Sequence, residues 1–178
     1  YTSLSETMSP KTNFAFINAY LGRVVQFIER DGGLVNQYLG DGILALFMDS
    51  PDDAVKAAIK IQQDISQVTE LGGFQLTSTL RNGIGIHSGP LILGMLGTAQ
   101  RMSPGVISDT VNTASRIEGL TKFFGAQIII SESSLSQLKD SKQFEYRSLG
   151  KVQVKGKQDV LRIYEILDGL TEEQKNAK

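Results

Sequence analysis

The chain has 178 residues, with 18 Lys and Arg against 19 Asp and Glu for a net charge of −1, no Cys, no Trp and one His. That length suits one domain with a sizeable core, 40% hydrophobic and 21% charged residues are values of a soluble globular protein, and the near-neutral charge speaks against a nucleic-acid-coating role. Zero Cys excludes a disulfide framework, a thiol nucleophile and a thiolate zinc site, and the lone His87 leaves no imidazole pair, so a bound metal needs oxygen ligands, as magnesium and manganese do.

No apolar run approaches the roughly 18 to 20 residues that cross a bilayer, and no cleavable signal precedes Tyr1. The expected location is cytoplasmic, with no direct membrane segment, and the start at Tyr1 without an initiator Met looks like a piece of a longer chain. The pattern predicts a helix over 8–31, capped by Ser9 with Pro10 at its first position and striped by Phe14, Ile17, Leu21, Val24 and Ile28. Gly32-Gly33 ends it. Residues 34–39 and 43–47 read as strands joined at Gly40-Asp41-Gly42. A second amphipathic helix follows Ser50-Pro51 and is expected to close at Gly72-Gly73. Residues 74–87 and 91–96 read as two longer strands around Ser88-Gly89-Pro90, then a turn at Gly97 and a polar loop through Arg101. A third helix is expected from Ser108-Asp109 to just before Gly125. Then come a strand at 127–130, a short helix at 131–138, short strands over 144–167 broken at Gly150 and Gly156, and a fraying polar end at 171–178. Together these predict an α+β layer structure.

Three groups of residues can carry chemistry. Asp41, between two glycines at a hairpin tip, is an open carboxylate able to reach a phosphate-bound cation; Gly-Asp-Gly is more commonly a plain turn, Asp being frequent in hairpins. Asn112 and Arg116, four apart on one helix face, aim an amide and a guanidinium in one direction, which suits a sugar and a phosphate; a solvated helix face has the same pattern. Lys151, Lys155 and Lys157 share one side of an extended segment, which fits a polyanion such as triphosphate or a lysine-protected edge strand. Gly83-Ile-Gly85 lacks the last glycine of a dinucleotide loop, Ser88 standing there, and His87 reads as a structural histidine.

The segments Gly40-Asp41-Gly42, Ile84-Gly-Ile-His-Ser-Gly-Pro90, Asp109-Thr-Val-Asn-Thr-Ala-Ser-Arg-Ile-Glu118 and Val154-Lys-Gly-Lys157 stand in the order and spacing of the class III nucleotidyl cyclase catalytic domain, which this chain resembles over about 1–167. The resemblance implies a ferredoxin-like-derived α+β fold with a central, mostly antiparallel sheet flanked by helices, in a head-to-tail homodimer. It assigns residues 1–168 to the catalytic domain, lacking the family's first strand, and residues 169–178 to a polar tail. It implies conversion of a nucleoside triphosphate, ATP foremost, to a 3′,5′-cyclic monophosphate and pyrophosphate in signal transduction, with two magnesium or manganese ions per site. Asp41 matches a metal-binding aspartate, Asn112 the ribose-positioning residue, Arg116 the arginine facing the α-phosphate and Lys155 the lysine on the terminal phosphates.

Departures from the family pattern matter as well. The first metal-binding aspartate belongs upstream of Thr2, so a chain starting at Tyr1 is expected to bind metal poorly and turn over little. At the base-reading pair stand Gln37 and Gly105, which fit neither the ATP-using nor the GTP-using pattern. A Gln amide can serve either purine by flipping, so weak selectivity is expected. The competing readings are a silent cyclase-like nucleotide-binding or partner domain and a metal-independent α+β binding module. An upstream regulatory domain is the expected further partner.

Overall fold

The computed structural model describes residues 8–98, 101–153 and 160–176. These fall into two compact units, one drawn from residues 1–49 and 53–82, the other from 50–52 and 83–178.

In the first unit, α1 (Pro10–Arg30) starts where the side chain of Ser9 accepts the Thr12 N–H at 3.2 Å and Pro10 opens the helix. Its buried stripe is Phe16, Val24 and Ile28. Strands β1 (Gly33–Leu39) and β2 (Gly42–Phe47) form an antiparallel hairpin with one irregularity between Val35 and Gln37, leaving Asn36 as a bulge. Helix α2 (Pro51–Ser66) turns Val55, Ala58, Ile61 and Ile65 inward. Arg23 of α1 forks onto Asp64 of α2, whose carboxylate holds the guanidinium above the ordinary arginine range by hydrogen bonding, and Lys60 meets Asp31 at 2.6 Å.

Gly72-Gly73 does not close this helix. It is the turn of a small hairpin, β3 (Glu70–Leu71) with β4 (Phe74–Gln75). Both glycines have positive φ, +58° and +79°, the pattern of a type I′ turn, and a Cβ on Gly72 would lie 2.6 Å from the Ala15 carbonyl oxygen. The long strand expected over 74–87 is likewise absent: only β4 and β5 (Ile84–Ile86) pair there.

The second unit is built on a four-stranded sheet in the order β5, β8 (Ile128–Ser131), β10 (Val160–Ile166), β9 (Tyr146–Gln153), antiparallel except for the parallel pair β5 and β8. A parallel pair needs a crossover, and α3 (Asp109–Phe124) supplies it. Strand β8 is buried throughout, as expected of a central strand with both faces covered, and Ile128, Ile129 and Ile130 are each worth about 1.5–3 kcal/mol of burial. Ile117 of α3 packs with Ala126, Ile129 and Ile163. Buried Glu165 is held by Arg147 at 2.7 Å, and buried Asp52 accepts from Ser50 Oγ, the Lys139 N–H and Gln143 Nε2.

Strand β6 (Ile92–Thr98) runs past the turn expected at Gly97 and pairs with β7 (Arg101–Ile107), which begins where the expected polar loop ends. Gly150 does not break β9. It sits at the irregularity opposite Ile163 with φ +95°. Helix α4 (Glu132–Leu135) is shorter than expected, and the tail expected to fray forms α5 (Glu172–Asn176), where Lys175 reaches Glu145 at 2.6 Å. Among the described residues no helix is long and apolar enough to cross a membrane.

Candidate functional site

Helix α3 carries the densest group of candidate residues. Ser108 caps it, accepting the Thr110 N–H at 2.9 Å, Asp109 supplies a carboxylate to the first turn, and Gly125 ends it in the left-handed conformation. Thr113, Ile117 and Thr121 are buried. The two buried hydroxyls are satisfied within the helix, Thr113 by the Asp109 carbonyl and Thr121 by the Glu118 carbonyl. With that face committed, Asn112 and Arg116 stand on the exposed side one turn apart, and among the described residues neither side chain has a hydrogen-bond or ionic partner. An amide and a guanidinium so placed can bind a hydroxyl and an anionic oxygen together.

The closeness of α3 to the sheet comes from glycine. A Cβ on Gly83 would lie 2.1 Å from Thr121 Oγ1, one on Gly85 2.4 Å from the Glu118 nitrogen and 2.5 Å from the Ala114 carbonyl oxygen, and one on Gly89 2.6 Å from Thr110 Oγ1. Read forward through the glycines, the helix contacts step backward from Thr121 to Thr110. The chain of 83–89 therefore runs close alongside α3, against helix backbone at Gly85 and against threonine side chains at Gly83 and Gly89, and Gly83-Ile-Gly85 is a packing track, in keeping with its failure as a phosphate loop.

His87 is hydrogen-bonded as a structural histidine should be: Nδ1 lies 2.8 Å from Ser131 Oγ and 3.2 Å from Ser133 Oγ, and Ser133 Oγ donates to the Ser88 carbonyl at 3.2 Å. On the other side, the Pro90 carbonyl accepts from Ser108 Oγ at 2.6 Å and from Thr110 Oγ1 at 2.8 Å. The sequence marks Ser108 as a helix cap but gives no sign that it and Thr110 both reach the Pro90 carbonyl. The only signal of Thr110 there is a hydroxyl two residues beyond an already sufficient cap.

In the first unit, Asp41 occupies the tip of the β1–β2 hairpin. Gly40 and Asp41 are the two loop residues between the paired Leu39 and Gly42, and only Gly40 has positive φ, +66°, the pattern of a type II′ turn. The Asp41 carboxylate is exposed and has no hydrogen-bond or ionic partner among the described residues. Gln37 lies on the same hairpin, exposed, beside the Asn36 bulge, and the Asn36 side-chain oxygen is buried without a partner. Gly105 is on β7, opposite Gly94. Lys151 is exposed on β9, whereas Lys155 and Lys157 lie outside the described residues.

The structure thus brings Asn112 and Arg116 onto one helix face, and Gln37 and Asp41 onto one hairpin. Among the described residues no three His, Cys, Asp or Glu side chains cluster as a ready-made metal cage. That is compatible with magnesium, which is commonly held by one or two carboxylates together with substrate phosphates, and an open, unpartnered Asp41 fits that donor set.

Comparison with known proteins defines the class. A guanylyl cyclase of solved structure, Cya2, superposes with a TM-score of 0.77 at 31% identity, covering 96% of this chain and 87% of that one. A bacterial light-regulated adenylyl cyclase shares the fold, with a TM-score of 0.82 at 22% identity over 97% of this chain and 50% of that one. In sequence, the chain is 42% identical over 172 residues to an adenylate cyclase of Anabaena cylindrica, covering 93% of this chain and 34% of that protein. It is 34% identical to the terminal-differentiation-specific adenylate cyclase of Dictyostelium discoideum, covering all of this chain and 9% of that one. The profile of the adenylate and guanylate cyclase catalytic domain matches residues 1–168, and the chain belongs to that family. The chain spans about a third of the Anabaena relative and less of the Dictyostelium one.

Proposed function

We propose that this chain is the catalytic domain of an adenylate cyclase, acting on ATP as a head-to-tail pair of copies in an intracellular signalling protein. One observation carries the reading. Asn112 and Arg116, to which the resemblance assigns the ribose and α-phosphate roles, stand together on the outward face of α3 with no partner among the described residues. The ATP assignment is supported by the two relatives above, both named adenylate cyclases.

In the proposed reaction the ribose 3′-hydroxyl gives up its proton to solvent as its oxygen attacks the α-phosphorus, the bond from that phosphorus to the bridging oxygen breaks, and pyrophosphate departs with the bond's electron pair. Asn112 holds the ribose so that the 3′-oxygen faces the phosphorus, a placement effect worth orders of magnitude in rate. Arg116 gives two N–H donors to the α-phosphate oxygens as negative charge builds on them. Lys155 holds the terminal phosphates by charge. Two magnesium or manganese ions, when bound, supply further charge stabilisation at the phosphates and acidify the attacking hydroxyl. Asp41 of the opposite copy would contribute a carboxylate to hold them. Gln37 and Gly105 read the base.

A GTP-using or unselective cyclase is the second reading, favoured by Gln37, whose amide can donate or accept, and by Gly105, which offers only backbone. The test of the residue roles is cyclic nucleotide formation by the full natural polypeptide carrying this chain. Asn112→Ala and Arg116→Ala should each lower kcat by about a hundredfold or more. Undiminished turnover in both would overturn the assignment.

A further inference from the structure

We infer that Thr110, with the Pro90 carbonyl it grips, is a positioning residue for this reaction: a hydroxyl clasp that fixes α3 along its own axis and so sets where Asn112 and Arg116 meet the substrate. The inference rests on the reading that those two side chains act on the nucleotide.

The contacts between α3 and segment 83–90 are of two kinds. Along 83–89 the helix lies on glycines, with backbone against backbone at Gly85 and the Thr121 and Thr110 side chains over Gly83 and Gly89. Such a track sets the distance of the helix well. It resists sliding less firmly, because the glycines have no side chain of their own to act as a stop and only Thr121 and Thr110 lean on them. The clasp supplies that stop at the head of the helix, where Ser108 Oγ and Thr110 Oγ1 both donate to the Pro90 carbonyl at 2.6 and 2.8 Å.

Ser108 already accepts the Thr110 N–H as the cap, so the Thr110 hydroxyl is not needed to satisfy the helix terminus. Its bond ties the helix to something else, and that something is anchored. His87 and Ser88, just before Gly89 and Pro90, are held from the opposite side by Ser131 at the end of β8 and by Ser133 of α4. Segment 87–90 is therefore a strap fixed to the sheet at one end and to the helix at the other. Asn112 is two residues beyond Thr110 and Arg116 six beyond, so a slide of one helical rise, about 1.5 Å, carries both off target. A misplacement of about 1 Å can cost up to about a hundredfold in rate.

The test uses the full natural polypeptide with ATP and magnesium, assayed well below the melting temperature of every variant. Thr110→Val keeps the shape and removes the hydroxyl. It should lower kcat about tenfold with KM changed less than about twofold, and Thr110→Ser should restore kcat to within about threefold of the parent. In an Asn112→Ala background, where only the share acting through Arg116 remains, the Thr110→Val loss should shrink to about threefold, whereas a loss through partial unfolding would stay near tenfold.

Parent-like kcat in Thr110→Val, an effect on KM alone, no rescue by Ser, or an undiminished loss in the double variant each overturns the clasp. Parent-like activity in Asn112→Ala overturns the catalytic reading and the clasp with it, whereas a severe loss there beside a normal Thr110→Val overturns the clasp alone. Should Thr110→Val fail to fold, Gly89→Ala displaces the same strap, since its Cβ would lie 2.6 Å from Thr110 Oγ1. The same fall in kcat is then expected, and unchanged kcat refutes it.

Discussion

Replacing Gly85 by Ala would put a methyl group 2.4 Å from the Glu118 backbone nitrogen and 2.5 Å from the Ala114 carbonyl oxygen. Ordinary contact begins at 3.4 Å, so β5 and α3 have to part by about 1 Å. Both obstacles are helix backbone, which no rotamer change can move aside. The cost therefore belongs at the upper end of overpacking, about 3 kcal/mol. The damage also spreads to Ile117, one residue from Glu118, whose packing on Ile129 and Ile163 joins the helix to the sheet. At a urea m-value of about 2 kcal/mol/M, the unfolding midpoint should fall by roughly 1.5 M. Gly119→Ala is the internal control, because its Cβ would meet nothing within 4 Å. On the same helix it should gain about 0.5–1 kcal/mol from propensity. Urea unfolding followed by circular dichroism reads both variants. A Gly85→Ala midpoint within about 0.3 M of the parent would refute the glycine-track account of how α3 is seated.

Other expectations follow from the same geometry. Arg147→Leu takes the ionic partner Arg147 from the fully buried Glu165 carboxylate and should cost about 3–5 kcal/mol in thermal or urea unfolding, while Arg147→Leu with Glu165→Leu should cost clearly less, since it removes both charges. Gln37→Lys with Gly105→Asp should raise the ATP over GTP ratio of kcat/KM by about tenfold or more; an unchanged ratio would show that the base is read elsewhere. Asn112→Ala should shift stability by no more than about 0.5 kcal/mol, because the side chain is exposed and makes no hydrogen bond or ion pair among the described residues. A large loss of stability would show that it serves the fold.

Where local chemistry decides structure, the sequence was readable. Ser9-Pro10 and Ser108-Asp109 marked two helix starts, Gly125 a helix end and Gly40-Asp41 a hairpin tip, because caps and tight turns depend on a few adjacent residues. Misreadings arose where one residue type serves two purposes. Gly72-Gly73 can stop a helix or turn a hairpin, and only its docking on Ala15 shows which. Gly150 can break a strand or sit within it beside an irregularity, and only the pairing with β10 shows which. The pairing of Asn112 with Arg116 was visible from helical spacing. The clasp was not, because Pro90 meets Ser108 and Thr110 across 18 and 20 residues, and a hydroxyl within a helix carries no periodic signal.

The most direct measurement of the central claim is product analysis with the full natural polypeptide that carries this chain. Incubated with ATP and magnesium or manganese, it should release cyclic AMP and pyrophosphate in equal amounts. A folded protein that forms no cyclic nucleotide from either ATP or GTP would contradict the account.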